Sequence, residues 1–272
     1  MAVHGLDAWE SMDGNTKETS SEPRRAFHGI PWPVTMKKSA IHISAEAELV
    51  SSAFKLPFRR TRLSREKDEL CQLLIRTDAL KFGNFILTSG KLSPYYIDLR
   101  IFPSFPEAFS RVIAMYLAII KREIGLDRFQ RVAGIPVAGL PFASTVAYEL
   151  RKPLIYVRKE AKLHGRERRV EGVLNPGDHV LLVDDLITTG TSLVQAADAV
   201  TSEGGVVQDA VVLIDRMENG KGTLSKRGIK LHYLTDIQDI AKTLHRLQII
   251  DSNQYKAILK QVSEAASVEP TA

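Results

Sequence analysis

The most constraining stretch of the chain runs from His179 to Ser192, read as His-Val-Leu-Leu-Val-Asp-Asp-Leu-Ile-Thr-Thr-Gly-Thr-Ser. Val180–Val183 is apolar at every position. A strand of that kind has both faces covered, as happens inside a parallel sheet. The run stops at two adjacent carboxylates, Asp184 and Asp185, and a loop of hydroxyls and one glycine leads to a helical pattern opening at Thr191. Ligands of open α/β sheets collect at such carboxyl ends. Amides over Thr188–Ser192, turned out of a tight loop into a helix N-terminus, suit a phosphate. Asp184 and Asp185 cannot share that phosphate, because like charges repel. As acceptors they suit the vicinal hydroxyls of a ribose. The stretch therefore reads as a ribose 5-phosphate site, against the plainer reading of an exposed connection before a capped helix. No Gly-x-Gly-x-x-Gly follows a strand and no Walker lysine is present, so two other phosphate motifs are excluded.

The same grammar repeats on either side. Val132–Ile135 reads as a short strand, Gly139–Leu150 as a helix and Leu154–Val157 as a strand. Thr191–Ser202 follows as a helix closed by Gly204-Gly205, then Val206–Ile214 and Ile229–Leu234 as strands. Asp236–Leu247 and Asp251–Val262 end the pattern as amphipathic helices. Alternation of this length gives an α/β fold, a mainly parallel sheet with helices on both faces. Ahead of it, Ser64 is placed to cap a helix with a buried stripe of Leu70, Leu73, Leu74 and Leu80 and a stop at Gly83. Asn84–Arg100 reads as two strands joined at Ser89-Gly90-Lys91, and Pro106 opens a long helix through Val112–Ile120.

Residues 1–63 lack either period, carry Trp9, Trp32 and four prolines, and are acidic at first. They are expected to form a disordered or loosely attached extension to a domain over 64–265, with 266–272 as a disordered tail. A true start at Met36, or a targeting or partner-binding arm, are the alternatives. The acids argue against a transit peptide, and no apolar run approaches the roughly 20 residues of a membrane span. The formal net charge of +5 fits a polyphosphate substrate without requiring nucleic acid. One cysteine, Cys71, rules out a disulfide framework and a thiolate metal site. A soluble, cytoplasmic protein binding neither nucleic acid nor membrane is expected.

Four further constellations could carry chemistry. In 158–172, Arg158, Lys159, Lys162, His164, Arg166, Arg168 and Arg169 face only Glu160, Glu167 and Glu171. This is either a solvated charge run or a cationic loop that closes over a diphosphate leaving group, with His164 as donor or general acid. Gly134-Ile-Pro-Val-Ala-Gly-Leu-Pro141 is a plain turn or a diphosphate cradle. In the hairpin Thr88–Tyr96, Tyr95 and Tyr96 offer faces for a planar base and Lys91 a charge, or simply pack across strands. Arg216, after a strand end at Asp215, can bind a carboxylate in bidentate fashion or pair with Asp215 on the surface.

Together these stretches resemble the orotate phosphoribosyltransferase family of type I phosphoribosyltransferases. The matching pieces are Phe82-Gly-x-Phe-x-Leu-x-Ser-Gly-x-x-Ser-Pro-x-Tyr, Gly134-x-Pro, Arg158-Lys-Glu-x-Lys-x-His-Gly165, Val183-Asp-Asp-x-Ile-Thr-Thr-Gly-Thr191 and Asp215-Arg216. The resemblance implies a type I phosphoribosyltransferase-like fold with a small N-terminal hood. It implies transfer of ribose 5-phosphate from phosphoribosyl diphosphate (PRPP) to orotate, in pyrimidine synthesis, with Mg²⁺ carried by PRPP and water and no direct protein ligand. Asp184 and Asp185 would hold the ribose, and Leu186, Ile187, Thr188, Thr189, Gly190, Thr191 and Ser192 the 5′-phosphate loop. Arg158, Lys159, Lys162 and His164 would hold diphosphate, and Thr188, Arg216, Lys91, Tyr95 and Tyr96 orotate. Lys162, His164 and Asp185 are the catalytic candidates, and a homodimer with shared sites is implied. Thr88 and Val137-Ala138 depart from the family, many of whose members carry a lysine there. A type I enzyme for another base, and a non-catalytic PRPP-binding regulator, are the rival readings.

Overall fold

The structure is a computed structural model, and it describes residues 61–86, 90, 92–158 and 169–267. The expectations for residues 1–60, Thr88, Lys91, Lys159, Lys162, His164 and 268–272 lie outside the described residues.

Helix α1 spans Arg62–Arg76 and begins two residues before the expected Ser64, because Thr61 is the cap. Its extended backbone lets its hydroxyl accept from the Ser64 amide at 3.2 Å, which leaves Ser64 inside the first turn. The helix also stops early. Thr77 donates its hydroxyl to the Leu73 carbonyl at 2.7 Å, and Asp78 turns the chain in a left-handed conformation. Leu80 therefore opens strand β1 (Leu80–Ile86) instead of closing the helical stripe, and Gly83 falls at a bulge between Phe82 and Phe85. Strand β2 (Leu92–Ile97) pairs with β1 antiparallel, forming the expected hood. Two strands alone are marginal in water. The hood is anchored by the buried Leu80, Tyr95 and Ile97 and by a 3.0 Å bond from Ser93 Oγ to Gln261 Oε1 of the C-terminal helix.

A 3₁₀ turn (Leu99–Ser104) leads into α2 (Pro106–Ile119), with proline at its first position, and a π turn carries it to Ile124. Then come β3 (Arg131–Gly134), α3 (Gly139–Leu150), β4 (Leu154–Val157), β5 (Val170–Glu171), β6 (His179–Val183), β7 (Leu186–Ile187), α4 (Thr191–Ser202) and β8 (Val206–Asp215). The short α5 (Gly220–Ser225), β9 (Lys230–Asp236), α6 (Ile237–Arg246) and α7 (Ser252–Ser267) complete the order. Helix α7 passes its expected end at Val262 because Ser263–Ser267 holds no glycine or proline. The sheet runs β5-β4-β3-β6-β8-β9, with β7 continuing the edge of β8 that β6 began. Every pairing is parallel except β4 with β5.

The unbroken apolar runs follow from this placement. Leu181, Val183, Val211 and Leu213 enter a core with Tyr116 of α2 and Phe142 of α3, while Val180, Leu182, Ala210 and Val212 enter a second core with Leu193 and Val200 of α4. Alternate residues of one strand thus feed opposite faces, each buried large side chain contributing about 1.5–3 kcal/mol. The carboxyl ends of β3, β4, β6 and β8 share one edge of the sheet because these strands are parallel.

Candidate active site

Asp184 and Asp185 leave β6 at that edge, both buried at 8% exposure. Each commits one oxygen to the backbone: Asp184 Oδ1 accepts from the Asp185 amide at 2.9 Å, and Asp185 Oδ1 from the Leu186 amide at 2.8 Å. Burial, with the neighbouring Asp185 charge, holds the Asp184 carboxyl well above the usual carboxylate range. Burial raises Asp185 too, against the amide bond from Leu186. The backbone beneath is fixed by Tyr116, fully buried, whose hydroxyl donates to the Asp184 carbonyl at 2.6 Å. On the other side α3 comes so close that a Cβ on Gly139 would lie 2.6 Å from Asp184 Oδ1. The Gly134–Pro141 turn therefore brings a helix start against the carboxylate pair, a function of its glycine beyond an ordinary turn.

The hydroxyl loop is tied from beneath. Gly190 caps α4 in a left-handed conformation, φ 82°, and Thr189 and Thr191 hydroxyls lie 3.0 Å apart above it. The first amides of α4 have no carbonyl of their own helix to bond. Leu186 and Ile187 are held by the sheet. They form β7, the Leu186 amide is spent on Asp185, and the Ile187 carbonyl accepts from the Arg216 amide at 3.0 Å. Pleating then sends the Ile187 side chain into the second core. Behind the loop sits Gly220, where a Cβ would meet the Thr188 carbonyl and Ile187 Cγ1 at 2.5 Å. No side chain fits between these two segments.

That Ile187–Arg216 bond joins the loop to the end of β8. Arg216 is buried at 7% exposure, not on the surface, and Asp215 is not its partner: Asp215 Oδ1 accepts from the Met217 amide at 2.7 Å. The guanidinium lies over the Tyr95 ring, 5.0 Å from its centroid, donates from Nε to the Tyr95 hydroxyl at 3.3 Å, and approaches Glu218 Oε1 at 3.0 Å. Burial raises the Tyr95 hydroxyl's pKa, against the Arg216 charge. Tyr95 and Tyr96 do not form one platform. Successive strand residues face opposite ways, so Tyr95 points into the core and Tyr96 packs on Phe85. The Tyr96 hydroxyl accepts from Arg100, which also grips Asp98 through Nε at 2.7 Å and Nη2 at 2.8 Å. Those bonds hold the Asp98 carboxyl below its ordinary pKa, and both groups lie within electrostatic reach of Asp185.

Arg158 follows β4 at the same sheet edge. Its amide donates to the Arg169 carbonyl at 2.8 Å and its side chain to Glu171 at 3.2 Å, closing the neck of the cationic loop. Asp184, Asp185, Thr188–Ser192, Tyr95 and Arg216 thus meet in one region, with Arg158 at the adjoining strand end.

The phosphoribosyl transferase domain family matches residues 107–244. An orotate phosphoribosyltransferase of Cenarchaeum symbiosum is 43% identical over 195 residues, 72% of this chain and 96% of the relative. The chain belongs to the orotate phosphoribosyltransferases. The crystal structure of that enzyme from Aeropyrum pernix aligns with a TM-score of 0.60 at 35% identity, over 67% of this chain and 99% of the other. The structure of Leishmania donovani UMP synthase gives 0.65 at 34% identity, over 72% of this chain and 42% of the other.

For an orotate phosphoribosyltransferase the sequence pattern left several supports unseen. Tyr116 stands in an apolar helix and looks like plain core; Gly139 and Gly220 carry no polar group at all. Glu218 follows the Asp215-Arg216 pair and gives no sign that it reaches back. Among the described residues no three carboxylate, imidazole or thiolate groups converge on a metal position. The Asp184 and Asp185 carboxyls fit hydroxyls and metal-bound water. This suits Mg²⁺, which keeps several waters where only one or two carboxylates are near.

Proposed function

We propose that the chain catalyses transfer of ribose 5-phosphate from PRPP to orotate, giving orotidine 5′-monophosphate and diphosphate. The observation that carries this is the 3.0 Å Arg216–Ile187 backbone bond, which joins a buried arginine to the strand that leads into the Thr188–Ser192 loop. Asp184 and Asp185 accept from the ribose hydroxyls, and the Thr188–Ser192 amides hold the 5′-phosphate. As diphosphate departs, positive charge develops on the ribose. The buried carboxylates then interact more strongly with the sugar than in the ground state, and differential interaction of that kind accelerates the reaction. Mg²⁺ would supply neutralisation of the diphosphate when bound, and Asp184 and Asp185 are the residues that would hold it through water. Incubation with orotate, PRPP and Mg²⁺ tests the proposal: orotidine 5′-monophosphate and diphosphate should form in equal amounts, and formation of neither would sink it.

The cationic loop supplies the leaving-group side. Lys162→Ala is expected to lower kcat by about 10²–10³-fold, the usual cost of one preorganised charge-stabilising group, with orotate affinity nearly unchanged. Equal losses in kcat and orotate affinity, measured in steady state, would instead indicate a binding role. His164 is assigned to the same leaving group as donor. Gly220→Ala should lower kcat/KM for PRPP by roughly 10–100-fold, since displacing a positioning loop by about 1 Å costs that order. An unchanged PRPP KM would show that the loop tolerates the added methyl group. The homodimer with shared sites is part of this reading, supported by the exposed Phe105, Val137 and Tyr148 on and beside α2 and α3. A cytoplasmic setting is proposed with it; among the described residues no helix is long and apolar enough to cross a membrane.

A further inference from the structure

The Arg216 guanidinium is already engaged by a carboxylate of the protein itself. Glu218 lies two residues on, 15% exposed at its side chain, with Oε1 3.0 Å from Arg216 Nη2. Neither atom is aligned for a hydrogen bond with any group, although both are buried. This is a close charge contact without the geometry that makes an Arg–carboxylate pair strong. Nε of the guanidinium is spent on the Tyr95 hydroxyl, and the guanidinium lies over the Tyr95 ring.

The backbone is bent to place Glu218 there. Met217 and Asn219, on either side of it, both adopt left-handed conformations, φ 58° and 68°. Such conformations are unfavourable for residues with a side chain and persist where the surroundings impose them. One imposing contact is the Asp215 carboxylate on the Met217 amide, and another is Gly220 against the Thr188 carbonyl. The turn is thus fixed at both ends, with Glu218 aimed at the arginine between them.

We infer that Glu218 is an internal competitor for the substrate's carboxylate, and so a residue that sets the affinity of the base site for anionic bases. It rests on the reading of Arg216 as the group that receives the anionic base. Beside Arg216, Glu218 neutralises a buried cation that would otherwise be costly to keep. An incoming base carboxylate gains only the difference between its own well-aligned pairing and the poorly aligned contact it displaces. A neutral pyrimidine gains nothing from Arg216 and leaves the Glu218 contact in place. The competitor thereby weakens binding of every anionic base while leaving that of neutral bases unchanged, and it eases departure of a nucleotide product that keeps the carboxylate.

Glu218→Gln removes the competing charge, and Glu218→Asp shortens its reach while keeping it. Both variants are expected to lower KM for orotate by about ten-fold, about 1.4 kcal/mol. KM for PRPP should hold, kcat should hold or fall, and the preference for orotate over uracil should increase. A raised KM for orotate in both variants would show that Glu218 aims Arg216 instead of competing for it, and would overturn the inference. So would an unchanged KM. If the unaltered enzyme turns over PRPP with another base but not with orotate, the reading of Arg216 fails first, whatever the variants do.

Discussion

Asp185→Asn is expected to stabilise the fold at neutral pH while lowering kcat/KM for PRPP by about 10²-fold, the loss expected when charge-assisted bonds worth roughly 1.5–3 kcal/mol each are weakened. Asparagine keeps an oxygen for the Leu186 amide, so the local backbone bond survives. What it removes is one of two adjacent buried charges whose pKa values burial has raised. A carboxyl with a folded pKa above its unfolded value binds its proton more tightly when folded. Its contribution to stability is therefore complete below the unfolded value, near 4, and is lost as pH rises through the folded value. At neutral pH the unaltered protein holds the pair at a cost, and the variant relieves part of it. Thermal unfolding followed from pH 4 to pH 8 checks this. The fall in Tm with rising pH should be shallower in the variant, by about 2–4 °C for each kcal/mol relieved at neutral pH. A lower Tm at pH 7 would contradict the cost assigned to the buried pair, and an unchanged KM for PRPP would contradict the assignment of Asp185 to the ribose.

Arg216→Met is the second large effect, and here stability and activity fall together. Removing the guanidinium leaves the Glu218 carboxylate buried without its cation, and breaking a buried pair from one side costs about 3–5 kcal/mol. It also deletes the group assigned to the substrate carboxylate, so kcat/KM for orotate should drop by about 10²–10³-fold, the equivalent of roughly 3–4 kcal/mol. KM for PRPP should change little. The double variant Arg216→Met with Glu218→Gln separates the two losses. Chemical denaturation should show most of the stability restored, while orotate turnover stays lost. Restored turnover in the double variant would remove Arg216 from the base site.

These effects draw on features that were unequally legible in the sequence. Val180–Val183 declared its position because strands buried on both faces need apolar residues at every position. The structure divides those four residues between two cores. Asp184, Asp185 and the hydroxyl loop were legible for a related reason: a charged pair directly after such a strand has few structural explanations. Helix α3 and strand β4 match their expected bounds, whereas α1 does not, since Thr61 and Ser64 are both competent caps and only their backbone geometry separates them. Leu80 and Gly83 misled because a leucine continues a helical stripe and a glycine ends one equally well on paper. The Tyr95-Tyr96 pair carries two aromatic faces in sequence, and only the pleat shows that they turn apart. Arg216 was visible as a chemical type, but its burial and its contact with Glu218 depend on two left-handed residues that have no compositional signature.

On the proposed function, one site combines a sugar-phosphate cradle with a base pocket selective for a carboxylate. This is tested most directly by kcat/KM for orotate, uracil, adenine and hypoxanthine at one saturating PRPP concentration with Mg²⁺. Orotate should exceed each of the others by at least about 10²-fold, the discrimination expected when a buried charged group finds its partner in only one substrate. A purine or uracil used as well as orotate would contradict the account.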